Sequence, residues 1–185
     1  GRAIRSANRA RLPLRAWACS TSATICVSEL SRPSAVASTC RVAEPFTDTE
    51  RERLHGHNFR VAAKITAPVG DNGMCFSYRI LKDKLEALCQ TLDEYMLIAA
   101  DSPHLRISEQ GGQYRVEFNG EELFFPRADT LLLPVRNATV EEYARYLLER
   151  LLEDRELIVR HDIREVGIKV SSGPGQWGSS HWKRG

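Results

Sequence analysis

Between His57 and Ala67 the chain alternates: Phe59, Val61, Ala63 and Ile65 are apolar, with polar or small residues between them. Side chains two apart on an extended backbone share one face, so this period commits the segment to a strand with one side against a core. Such a strand needs an apolar layer over it, and two segments offer one. Leu81, Leu85, Leu88, Cys89 and Leu92 recur at helical spacing and predict a helix over 79–92. Val140, Tyr143, Ala144, Leu147, Leu148 and Leu151 predict a second helix opening at Thr139. Thr139-Val-Glu-Glu142 reads as a capping box, in which the hydroxyl takes the Glu142 amide and the Glu142 carboxylate reaches back.

Further strands are read at 25–30 and 163–170, the latter ending before the loop Ser171–Gln176. Residues 31–53, with Pro33 and Pro45, read as loop. Asn72-Gly73 and Asn119-Gly120 are hairpin dipeptides. The first predicts a return strand at Met74–Tyr78, and the second joins strands 113–118 and 121–125. The order is strand, strand, strand, helix, hairpin, helix, strand. It predicts an α+β fold, an antiparallel sheet with two helices packed on one face.

Composition sets limits on this reading. With 185 residues, 42% hydrophobic and 27% charged, the chain can bury a core, and no apolar run is long enough to span a membrane. Its net charge of +2 is unevenly spread: residues 1–41 hold seven Arg against Glu29, and the remainder is mildly acidic. The body therefore offers no nucleic-acid footprint. Residues 1–24, rich in Arg, Ala and Ser, read as a disordered basic tail or an organellar transit segment ahead of a domain at 25–185. Five cysteines without a C-x-x-C pair suit free thiols in a reducing, cytoplasmic setting.

His55-Gly56-His57 is the chemical feature. On an extended backbone its two imidazoles point to one side, close enough to share a metal, and zinc takes histidine nitrogen readily. Taken without its flanks, the pair reads more readily as two surface histidines at a strand start. His104, His161 and His181 read as exposed or capping residues.

The block Arg53-Leu-His-Gly-His-Asn-Phe-Arg-Val61 resembles the signature of the 6-pyruvoyl-tetrahydropterin synthase and 6-carboxytetrahydropterin synthase family. The likeness continues through Gly73-Met74, Leu92-Asp93, Asn137-Ala-Thr139 and Gly173-Pro-Gly-Gln176, over about residues 55–176. It implies the tunnelling fold, a homo-oligomer (trimer or hexamer) with active sites between subunits, and a zinc-dependent carbon–oxygen lyase. The implied substrate is 7,8-dihydroneopterin triphosphate, in pterin or queuosine-type biosynthesis. Segment 105–127 resembles a hairpin insertion of some members.

Family zinc ligands map onto His55 and His57, with the third, about fifteen residues upstream, falling on Cys40. The family's base, a cysteine four residues before the first motif histidine, falls on Arg51; Glu50 and Glu52 flank it, and some members use a glutamate. The family's Asp-His pair becomes Asp93-Glu94, which reads also as the solvated end of a helix. The carboxylate that anchors the pterin falls at Ser171-Ser172. With base, relay and anchor altered, the alternative is a catalytically degenerate pterin-binding scaffold of the same fold.

Overall fold

The alternating segment becomes the longest strand, and the remaining elements are arranged around it. A computed structural model describes residues 22–27, 37–41 and 47–185, the first two segments by backbone alone. In chain order the elements are β1 (Ser22–Val27), β2 (Ala37–Arg41), β3 (His55–Pro68), α1 (Tyr78–Gln90) and β4 (Met96–Ala99). Then come β5 (Arg106–Gln110), β6 (Gln113–Phe118), β7 (Glu121–Pro126) and β8 (Thr130–Leu133). The chain closes with α2 (Val140–Leu152), α3 (Arg155–Arg160), β9 (Glu165–Gly173) and β10 (Gln176–Lys183). Up to residue 21, the expected basic tail lies outside the described residues.

β3 pairs antiparallel with β9 on one edge and with β2 and then β1 along the other. β10 continues the sheet beyond β9, antiparallel. Beyond β2 it continues through β4 and β8, both parallel. Phe59, Val61, Ala63, Ile65 and Ala67 are all buried, and Val166, Ile168 and Val170 of β9 extend the same apolar face. α1 covers it with Leu81, Leu85 and Cys89, and α2 with Tyr143, Ala144, Leu147, Leu148 and Leu151. Burying each large side chain stabilises the fold by about 1.5–3 kcal/mol before entropy is counted. The α+β architecture with helices on one face is the one the sequence predicts. Among the described residues no helix is long and apolar enough to cross a membrane.

Several elements differ from the sequence reading. Met74–Tyr78 is no strand. The Asn72-Gly73 turn forms, with Gly73 at φ 75° and the Gly70 N–H donating to the Met74 carbonyl at 2.8 Å. But the Asn72 side chain accepts the Met74 N–H at 3.0 Å, and both edges of β3 are already paired, so 74–77 leads into α1. At Asn119-Gly120, by contrast, both residues hold positive φ (44° and 80°) and close a true β6–β7 hairpin.

The predicted loop 31–53 contains β2, and residues 25–27 of the predicted strand 25–30 lie in β1, while 28–30 lie outside the described residues. β10 extends the sheet past the loop expected to end it. β4 has no polar face because both of its sides are covered. Leu97 and Ala99 join the main core, while Ile98 meets Val116 and Phe125 of the β5–β6–β7 sheet. The capping box at α2 is half formed. Thr139 Oγ1 accepts the Glu142 N–H, but the Glu142 carboxylate takes the Arg136 N–H at 2.8 Å instead of reaching Thr139. Arg145 draws it there, donating both to that carboxylate and to the Pro134 carbonyl.

Candidate active site

The apolar row of β3 does not stop at Phe59. One step further out on the same face stands His57, and one beyond that His55, each half-buried where the helices no longer cover the strand. The two imidazoles pack edge to face at 4.5 Å between centroids, His57 lies 5.8 Å from Phe59, and Phe59 meets Tyr143 edge-on at 5.1 Å. The pair is thus seated on the end of the core. His55 Nδ1–H donates to the Arg53 carbonyl at 2.7 Å, which orients the ring and leaves Nε2 to face Glu52, whose Oε2 is 3.4 Å away.

These groups form one wall of an open cleft of about 600 Å³. The first turn of α2 brings Thr139, Val140 and Glu141 to a second wall, and the β9–β10 turn brings Ser172, Gly175, Gln176 and Trp177 to a third. Gly178 sets the last two walls against each other. A Cβ there would stand 2.4 Å from the Glu141 nitrogen and 2.5 Å from the Val140 carbonyl carbon, so only glycine lets β10 lie on the start of α2. Below the helix start, Arg145, aided by the Arg136 amide, holds the Glu142 carboxyl below the usual carboxylate range. The Cys89 thiol, in the core, is pushed up to about 11 by burial and then by Asp93 and Glu86, which makes it a poor nucleophile.

The candidate residues divide clearly. His55, His57, Glu52 and Ser172 meet in the cleft. Ser172 Oγ donates to Gln176 Oε1 at 3.2 Å. Ser171 is buried, its hydroxyl consumed within its own turn by the Gly173 carbonyl and amide. Glu50 is exposed on the preceding loop, and Arg51 turns to Glu121. Asp93 and Glu94 sit in the turn after α1, Glu94 at φ 64°, and neither lines the cleft. His104 is exposed, His161 caps α3 and stacks on Phe76, and His181 lies over Gly167.

For Cys40 the structure gives the backbone only. It pairs with Gly56, while Thr39 and Arg41 stand opposite His57 and His55. Glu141, Gln176 and Trp177 are absent from the sequence reading of the site. Glu141 was absorbed by the capping pattern, and Gln176 closes a loop whose continuation as β10 carries no apolar alternation.

The donor chemistry suits zinc in part: His55 and His57 stand side by side at the mouth of the cleft, and histidine nitrogen binds zinc at about 2.0–2.1 Å. Among the described residues, though, no group of three histidine, cysteine or carboxylate side chains is arranged round one point.

Known proteins share this fold. The family model for 6-pyruvoyl tetrahydropterin synthase matches residues 34–180. A Pyrococcus abyssi protein named provisionally as a 6-carboxy-5,6,7,8-tetrahydropterin synthase is 28% identical over 127 residues, covering 69% of this chain and 73% of its own. The solved Plasmodium falciparum 6-pyruvoyl tetrahydropterin synthase superposes with a TM-score of 0.80 at 29% identity, covering 89% of this chain and 99% of that one. The Plasmodium vivax enzyme gives 0.81 at 25% identity, over 88% and 99%. That enzyme has also been solved with a catalytic residue, a glutamate, replaced by alanine or by cysteine. Sheet, helices and the match across residues 34–180 together place this chain in the 6-pyruvoyl tetrahydropterin synthase family.

Proposed function

We propose that the protein is a zinc-dependent carbon–oxygen lyase that eliminates triphosphate from 7,8-dihydroneopterin triphosphate, with Glu52 as its base. The observation that carries this reading is the Glu52 carboxylate 3.4 Å from His55 Nε2, inside the cleft that holds both motif histidines. It is supported by the catalytic glutamate of the Plasmodium vivax relative. Of the two glutamates flanking Arg51, only Glu52 has its carboxylate in the cleft.

The reaction takes a proton from the side-chain carbon adjacent to the one bearing the triphosphate; the C–H electron pair becomes a C=C bond as the C–O bond breaks and triphosphate departs with the C–O pair. A carboxylate held within reach of that proton can accept it. His55 and His57 would hold the zinc, which when bound polarises the substrate's side-chain oxygens and makes that proton more acidic. The remaining walls bind the heterocycle. Glu141 offers a carboxylate to its guanidine-like edge, a charge that Ser172 cannot supply. Ser172 and Gln176 offer a hydroxyl and an amide, and Trp177 offers an indole face. The homo-oligomer is part of this proposal, because Asp93 and Glu94 stand outside the cleft of their own chain and would join a site only from a neighbouring copy.

Metal analysis of the purified protein and turnover of dihydroneopterin triphosphate test the reading. The expected result is bound zinc, lost from His55→Ala and His57→Ala, and triphosphate release that falls about 10²- to 10⁴-fold in Glu52→Gln with zinc retained. Pterin binding with no triphosphate release would instead favour the scaffold reading, whose motivation is Arg51, Glu94 and Ser172.

A further inference from the structure

The β6–β7 hairpin touches the active-site loop at its tip. Arg51, next to Glu52 in sequence, sends its guanidinium away from the cleft to Glu121, the first residue of β7. Nε and Nη2 both reach Glu121 Oε2, at 2.9 and 2.5 Å. The third arm of the same fork, Nη1, donates to the Glu52 carbonyl at 3.0 Å. A second tie lies one turn residue away, where Asn119 Nδ2 donates to the Thr49 carbonyl at 3.3 Å. Loop residues 49 and 52 are therefore held to the two sides of the Asn119-Gly120 turn. That turn is a true two-residue hairpin, Asn119 and Gly120 both taking the positive φ values it requires. The hairpin is in turn seated on the body through Val116 and Phe125 against Ile98.

We infer that Arg51 and Glu121 are positioning residues: through them the β6–β7 hairpin fixes the backbone of Glu52 and so sets its carboxylate against the His55–His57 pair. The inference rests on the proposed role of Glu52. A planar guanidinium can serve both partners at once because its donors are fixed in a fork; a lysine, a single point charge, cannot. Arg51 is largely enclosed and Glu121 largely exposed, so the ion pair adds little to global stability and its variants will fold. Its effect is on geometry, and misplacing a catalytic group by about 1 Å can cost about 100-fold in rate.

The test uses Arg51→Lys, Arg51→Ala and Glu121→Gln in the full-length protein, with two readouts. The first is amide hydrogen exchange over residues 49–54, which needs no activity. The second is the split between kcat and KM for dihydroneopterin triphosphate. The expected result is exchange over 49–54 faster by about tenfold in Arg51→Ala and Glu121→Gln, with the melting transition little moved. The same two variants should lower kcat by about 10- to 100-fold and leave KM within about twofold. Arg51→Lys should keep the hairpin docked yet share the loss in kcat. Wild-type exchange at 49–54 in both Arg51→Ala and Glu121→Gln overturns the clamp whatever the activity. Faster exchange with kcat unchanged overturns the positioning role. If Glu52→Gln is itself fully active, the reading of Glu52 as base fails, and the exchange result then stands or falls separately.

Discussion

The two ends of β3 carry one row of side chains into opposite surroundings. From Phe59 to Ala67 the row is sealed under α1 and α2, and at Ile65 nothing reaches solvent. At His57 and His55 the same row emerges into a cleft and turns from hydrocarbon to imidazole. The pleat makes both halves point the same way. Only the reach of the helices decides which half is core and which is site. A single strand thus lends the rigidity of a packed interior to side chains that face water, so that His57 rests on Phe59 and Phe59 on Tyr143. A site built this way needs little ordering of its own.

This contrast can be attacked from either end. The largest expected effect is on turnover: His55→Ala or His57→Ala should lower dihydroneopterin triphosphate cleavage by about 1,000-fold or more, some 4 kcal/mol, while moving the melting midpoint only slightly. Steady-state kinetics beside calorimetry check this, and a His57→Ala protein as unstable as a core truncation would erase the distinction between the halves. Ile65→Ala should show the converse, a loss of about 2–5 kcal/mol in denaturant unfolding with activity per folded molecule retained.

Gly178→Ala acts between the halves, because a methyl group there must push the start of α2 off β10. The expected cost is about 1–3 kcal/mol of stability. KM should rise more than kcat falls, since Glu141 and Gln176 would part. The smallest effect is in acid. Glu142 has its folded pKa lowered by Arg145, so its contribution to stability is present above the unfolded value of about 4.3. That contribution is lost as pH falls through the lower folded value. Glu142→Gln should therefore lower stability at neutral pH and converge on the wild type as pH falls below about 4.3, so that the acid side of the stability–pH curve flattens; an unaltered acid limb would count against the pairing.

What could be read beforehand follows the same contrast. β3, α1 and α2 are long, one-sided elements, and their periods state both their type and their buried face. β4 was missed because a strand covered on both sides has no period to show, and β2 and β10 because short or edge strands carry mixed residues. Within the site, the histidines were legible because they extend a visible period. The choice of Glu52 over Glu50 was not, since loop residues 47–54 carry no pattern and only the fold decides which carboxylate turns inward. Glu141 was hidden by a second explanation, because an acid in the first turn of a helix is already accounted for by the helix dipole.

One consequence of β4 bears on how this molecule could be trimmed. Its Ile98 is wholly enclosed on the side away from the main core, beneath Val116 and Phe125. A surface excursion that could be excised would leave polar ground behind it. Removing 106–126 here would bare a branched aliphatic side chain to water, at about 1.5–3 kcal/mol. The excursion and the strand beneath it are therefore two leaves of one hinge-less joint, and neither can be redesigned as though the other were absent.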